Sequence, residues 1–230
     1  MIALRPAQTR GHADHGWLKS WHSFSFAEYF DPAEMGWGAL RVINEDVVAP
    51  GEGFPMHGHR DMEIVTVILA GALEHRNSLG NGAVIRHGEV KRMSAGLGVR
   101  HSEFNPSPEV ATHLLQIWIR PARSGATPGY EQREISLAPG ATLLASPDGR
   151  DGSVAIGQDA TLQRVRLVAD EIFVPDLAPD RFGYAHLISG VLETGDFPLS
   201  TGDGLKAHDA PGLRLTAASA ADFLWFDLPA

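Results

Sequence analysis

The chain reads as an all-β protein built from two tandem β-barrels, and three observations predict this. Its apolar residues fall in short runs rich in β-branched side chains. Gly (25) and Pro (15) punctuate the chain between those runs. One strand–turn–strand pattern occurs twice, 119 residues apart.

In chain order the runs are Leu40–Ile43, Ile64–Leu69, Leu114–Ile119, Val165–Val168, Ala185–Ile188 and Phe223–Phe226. Each is too short for a free-standing helix, and no long stretch carries a 3.6-residue apolar period. Single helical turns are expected only near Phe26–Tyr29 and Gly129–Glu134. The repeat is Ile68-Leu69-Ala70-Gly71-Ala72-Leu73-Glu74 against Leu187-Ile188-Ser189-Gly190-Val191-Leu192-Glu193. Gly88-Glu89-Val90 and Gly202-Asp203-Gly204 follow at a similar offset, 114 residues. Tandem domains explain both pairs. By composition Pro121–Gly129 is the best linker. The expected division is 1–128 and 129–230, two similar domains.

The sequence has 19 basic and 28 acidic residues, a net charge of −9 with neutral histidines, and no basic cluster. Direct nucleic-acid binding is therefore not expected. No apolar run is long enough for a membrane-spanning helix. Residues 1–16 lack the apolar core of a signal peptide, so a cytoplasmic location is the expectation. With no cysteine in the sequence, disulfides, thiolate metal sites and thiol nucleophiles are excluded. Any metal must be held by His, Asp or Glu.

Two doublets among the eleven histidines carry that chemistry, His57-Gly58-His59 and His101-Ser102-Glu103. On a strand, residues i and i+2 share a face, so each doublet can aim two ligand atoms at one point. Imidazole and carboxylate together suit Fe, Mn, Co, Ni, Cu or Zn. A bare doublet has little specificity: His87-Gly88-Glu89 has the same form and falls at a turn. Glu63 is a rival ligand, because 57, 59 and 63 share a face if the strand is regular. His12, His15, His75, His186 and His208 have no partner at i±2 and read as surface or locally bonded groups. His22 and His113 lie in strand regions and are candidates for facing a pocket. Trp21, Phe24, Phe26, Tyr29 and Phe30 could wall a cavity, although core packing is the commoner role of such a block.

The doublets stand in longer frames. The first runs Gly51, five residues, His57-x-His59, three residues, Glu63, then Gly71. The second runs Gly88, Ser94-Ala95-Gly96, His101, three residues, Asn105. These frames resemble the two cupin motifs. Ser94 departs from the usual proline, and one extra residue separates Gly96 from His101. Four blocks further resemble the pirin family of cupins: residues 16–26 (GWLKSWHSFSF), 40–46 (LRVINED), 57–64 (HGHRDMEI), and Met93–Gly96 with His101–Glu103. Within that family the chain is similar to the bacterial quercetin 2,3-dioxygenase-type members.

The resemblance implies a bicupin, with two jelly-roll-like barrels and one metal in the N-terminal half. Its ligands would be His57, His59, His101 and Glu103, with Glu103 also acting as catalytic base. Fe(II) is the first expectation for the metal, with Mn, Co, Ni, Cu or Zn as alternatives. The implied reaction opens the heterocyclic ring of quercetin or a related flavonol with O2 and releases carbon monoxide. The alternatives are a non-catalytic metal-binding regulatory protein with a protein partner, and a cupin enzyme of another reaction type. Shifting the ligand positions by the repeat offsets gives Asp176, Ala178, Leu215 and Ala217, so no second site is expected.

Overall fold

The computed structural model describes residues 1–230. It holds 22 strands and only two short 3-10 turns, as the pattern of short β-branched runs requires. The strands form two sandwiches, each a seven-stranded sheet facing a four-stranded one. The N-terminal seven-stranded sheet runs in the spatial order Gly129–Glu134, Glu89–Ser94, Glu63–Ala70, Thr112–Ile119, Leu40–Val48, Leu18–His22, Gly11–Asp14. Its partner sheet has the order Gly53–His59, Val99–Phe104, Ala72–Asn77, Gly82–Arg86. No helix is long and apolar enough to cross a membrane.

The sequence repeat is a structural one. The Glu63–Ala70 strand turns at Gly71 into Ala72–Asn77, and Phe182–Ser189 turns at Gly190 into Val191–Glu193. Both glycines are left-handed, with φ of +77° and +93°. A Cβ at Gly190 would lie 2.1 Å from the Ala220 carbonyl oxygen, so only glycine turns the chain there. Two strands lie across the 128/129 division. Ile2–Arg5 pairs with Gly204–His208 in the C-terminal sheet, and Gly129–Glu134 pairs with Glu89–Ser94 in the N-terminal one. The helical turns expected from sequence are absent: Gly129–Glu134 is that edge strand, and Phe26 and Tyr29 form an isolated β-bridge. Both segments are short, and the ladder bonds offered by neighbouring chain decide their state.

The two seven-stranded sheets pack face to face. Ile43, Val65, Leu115 and Ile117 from one share an apolar cluster with Leu144, Leu162, Leu224 and Phe226 from the other. The barrel interiors differ. The C-terminal one is filled by a single cluster of 14 buried apolar residues, including Leu205, Leu215, Ala217 and Phe223. The N-terminal interior holds two smaller clusters, one around Ile68, Leu73 and Leu114 and one around Ile64, Met93 and Val99. A band of polar side chains separates them.

On the face of the N-terminal sheet turned away from that interior, Glu45 accepts from Arg10 at 2.7 Å and from His113 at 3.0 Å. Burial favours the neutral acid, yet these two partners outweigh it and hold the carboxyl at about 2. The folded value lies below the unfolded one, so the stabilisation is present above about pH 4.5 and is lost as the pH falls toward 2. Glu45→Gln should therefore lower unfolding free energy at pH 7 by about 1–3 kcal/mol. Denaturant titrations at pH 7, 5 and 3 should show the gap to the parent protein shrinking only at the lowest pH.

Candidate metal centre

The site begins with one antiparallel pairing. The Gly53–His59 strand lies beside Val99–Phe104 with His57 directly opposite His101. Alternation puts His59 on the face of His57. The three Nε2 atoms converge: His101 to His59 is 2.8 Å and His101 to His57 is 3.0 Å. A metal with bonds of about 2.1 Å and angles between roughly 90° and 109° would space its nitrogens by about 3.0–3.4 Å. The donor set therefore fits a single transition metal.

The protonation of the rings fits too. The Nδ1–H of His57 donates to the Pro55 carbonyl at 2.8 Å, which leaves the Nε2 lone pair free. Burial lowers His59 to about 4 and, against the attraction of Glu103, lowers His101 to about 2. Both rings are neutral at neutral pH, the state in which imidazole binds a metal.

Glu103 lies on the same strand as His101, after a shift of register between them. It is buried and held from two sides: Lys91 Nζ donates to Oε1 at 2.5 Å, and Gln116 Nε2 donates to Oε2 at 2.7 Å. Thr66 Oγ1 donates to Gln116 Oε1 at 2.6 Å, which fixes the direction of the amide. Burial would raise the Glu103 carboxyl, but Lys91, His75 and His101 together keep it well below the usual carboxylate range.

These holders belong to one cross-strand row. Lys91 pairs with Thr66, Thr66 with Gln116, Gln116 with Asn44, and Asn44 with His22. All five are buried. This row is the polar band that divides the apolar interior. Above it opens a cavity of about 860 Å³, whose walls include His57, His59, Glu103, Gln116, Phe26 and Trp118. Trp118 meets the His59 ring edge-on at 4.9 Å and the Phe26 ring at 5.4 Å. The volume suits one small organic molecule, and the aromatic walls suit a flat one.

The structure brings together the three histidines expected from sequence. Glu103 stands apart from their cluster and groups with His75 and His101, whose ligand atoms and its own lie within 4.8 Å of one another. Glu63 is elsewhere. A turn at Asp61, with φ of +47°, ends the strand at His59 and starts the next at Glu63 in the other sheet. Strand parity does not carry across such a turn, and Glu63 accepts from Ser94 at 2.7 Å. His87-Gly88-Glu89 is a turn whose carboxylate caps the Arg86 amide at 2.6 Å, as its form suggested. His22 lines the cavity, and so do His12 and His15, which are exposed as the sequence suggests. Phe26 and Tyr29 wall it, whereas Phe24 is core and Phe30 is exposed.

Sequence reading missed His75, Lys91 and Gln116. His75 is paired opposite Glu103 and stacks on Tyr130 at 4.9 Å. Lys91 and Gln116 did carry a signal, since each is a polar residue at the inward parity of an apolar strand, two positions from Met93 and Leu114.

Comparison with known proteins covers the whole chain. Residues 3–119 match the Pirin family, and residues 143–228 match the family described as quercetinase C-terminal cupin domain. A quercetin 2,3-dioxygenase of Escherichia coli K12 is 48% identical, covering 100% of this chain and 99% of that protein. A pirin-like protein of Caulobacter vibrioides is 40% identical, covering 99% of each. The crystal structure of the bacterial pirin YhhW from Escherichia coli in complex with nickel(II) is 48% identical, covers 100% of this chain and 99% of that one, and superposes with a TM-score of 0.96. The chain has the two cupin-type barrels of these structures, and with similarity along its full length it belongs to the pirin family.

Proposed function

We propose that the protein is a metal-dependent dioxygenase that opens the heterocyclic ring of quercetin or a related flavonol with O2. The observation that carries this reading is the convergence of three imidazole Nε2 atoms, with His101 2.8 Å from His59 and 3.0 Å from His57, at a cavity of about 860 Å³. The name of the Escherichia coli relative at 48% identity supports the choice of substrate class. One divalent transition metal would be held by His57, His59 and His101, with Glu103 as the fourth ligand. Fe(II) remains the first choice, and nickel is the metal bound in the related YhhW structure.

Bound there, the metal supplies Lewis acidity and a template for the ring and O2. The protein supplies the rest. Glu103 is an anion whose two oxygens each accept one hydrogen bond, from Lys91 and from Gln116. Each oxygen therefore keeps a lone pair. One can serve as a ligand and the other can take the proton of the flavonol hydroxyl that lies beside the ketone. Lys91, itself fully buried, balances the charge of the carboxylate, and Gln116 fixes its plane. Trp118 and Phe26 offer faces and edges to the flat ring system and exclude water from it. The C-terminal barrel has no counterpart: Leu215 and Ala217, at the repeat positions of His101 and Glu103, are buried in its apolar cluster.

Elemental analysis should find one transition metal per chain, and His101→Ala should weaken its binding by at least about tenfold. Two metals per chain would overturn the single-site reading. Glu63→Gln should keep the metal. Glu103→Gln should lose it or change the visible spectrum of the cobalt-loaded protein, because an amide oxygen is a neutral, weaker ligand. The reverse pattern would move the ligand role to Glu63. In an oxygen electrode the metal-loaded protein should consume O2 with quercetin and not with the flavone that lacks the 3-hydroxyl, a discrimination of several powers of ten. Failure to turn over any flavonol, with several metals tried, would favour the non-catalytic reading of a metal-binding interaction protein.

A further inference from the structure

The cavity has a second polar wall that the metal centre does not use. Asn44 continues the inner row next to Gln116, and Asp46 lies two residues on, on the same face of the Leu40–Val48 strand. The Leu18–His22 strand brings His22 opposite Asn44 and Ser20 opposite Asp46. All four are buried, at 4% exposure or less, and all four line the cavity.

Their mutual bonds leave one side free. His22 Nδ1 donates to Asn44 Oδ1 at 2.8 Å, and Ser20 Oγ donates to Asp46 Oδ1. His22 Nε2, the Asn44 amide nitrogen and the second oxygen of Asp46 have no protein partner. Burial keeps the His22 ring neutral, so Nε2 is an acceptor. The Asn44 nitrogen is a donor. Burial, with Glu103 and Glu45 adding repulsion, pushes the Asp46 carboxyl up to about 7. The three residues line the cavity, so a ligand within it can pair with these atoms. Donors and acceptors alternate along the wall, and no cation there is free to meet an anion, since Lys91 is taken by Glu103. The partner that fits is a neutral hydroxyl, which donates and accepts at once.

We propose that His22, Asn44 and Asp46 form a second binding subsite, which receives the phenolic hydroxyls at the far end of a flat polyphenol whose near end lies at the three histidines. This inference rests on the dioxygenase reading for the identity of the ligand. The distances suit it. Strands are spaced by about 4.8 Å, so Asn44 and His22 lie one and two strands, about 5 and 10 Å, across the sheet from Gln116. A fused aromatic system spans that range, with Phe26 and Trp118 beside it.

The test uses full-length protein loaded with Zn(II), without oxygen, so that binding is read apart from turnover. Quercetin is compared with a flavonol that carries no hydroxyl on its pendant ring, by fluorescence titration. The parent protein should favour quercetin by about tenfold or more. Asn44→Leu and Asp46→Leu, each confirmed to hold one metal, should bring that ratio close to one mainly by weakening quercetin. His22→Phe provides a third variant with an intact ring volume, in case the loss of the partner of Ser20 unfolds the Asp46 variant. An unchanged ratio in folded, metal-loaded variants would overturn the subsite. Loss of the ratio in a protein that turns over no flavonol would sustain the subsite and overturn the reaction. Failure of the metal-loaded parent to bind either flavonol would overturn both.

Discussion

The candidate metal centre depends on the antiparallel pairing that sets His57 opposite His101. Register is the constraint. A slip of one residue in the Gly53–His59 strand would turn His57 and His59 to the outer face, away from His101, because side chains alternate with a period of two. The register is fixed from both sides. The Val99–Phe104 strand is paired on its other edge with Ala72–Asn77, where His75 stands opposite Glu103. Below it, the inner row of the larger sheet presents Lys91 and Gln116 to the same carboxylate. The donor cluster is thus held by two sheets, and the cavity opens between them.

Placing that cluster inside a barrel has a cost in packing. A buried polar row must be satisfied across its length, and each unsatisfied group would cost about 1–3 kcal/mol. Lys91, Thr66 and Gln116 meet this demand through Glu103 and through one another. The price is an interior divided into two small apolar clusters. The C-terminal barrel, with the same strand–turn plan, has no such row and closes around one apolar cluster of 14 residues. The N-terminal sheet leans on it: Ile43, Val65, Leu115 and Ile117 bury their outer faces against that barrel's sheet. One barrel carries the donor cluster, and the other supplies a solid backing for it.

The electrostatics of the site follow from the same arrangement. Burial keeps the histidine rings neutral and would keep a lone carboxylate neutral too. Lys91, fully buried beside Glu103, reverses the second effect and leaves an anion close to the neutral rings of His59 and His101. The opposite wall has no such cation. There burial prevails at Asp46, whose carboxyl stays within reach of protonation near neutral pH. Two carboxyls in one cavity are thereby set to different states by what stands beside each.

The fold class, the duplication and the three histidines were legible in the sequence, because each is written in local spacing. Short β-branched runs, glycines at left-handed turns and doublets at i, i+2 are properties of consecutive residues, and the same backbone rules hold wherever the strand lies. The family resemblance carried the reading from doublets to a candidate site and preferred Glu103 to Glu63. What depended on neighbours across the sheets was not legible. Gly129–Glu134 is a strand because Glu89–Ser94 offers it a ladder. Glu63 leaves the site because Asp61 breaks the strand on which parity was counted. Lys91, Gln116, Asn44 and His22 come from four strands scattered over 95 positions, from 22 to 116, and only sheet order and register place them in one row. Local sequence determines which way a side chain points along its own strand, whereas tertiary pairing decides what it meets there.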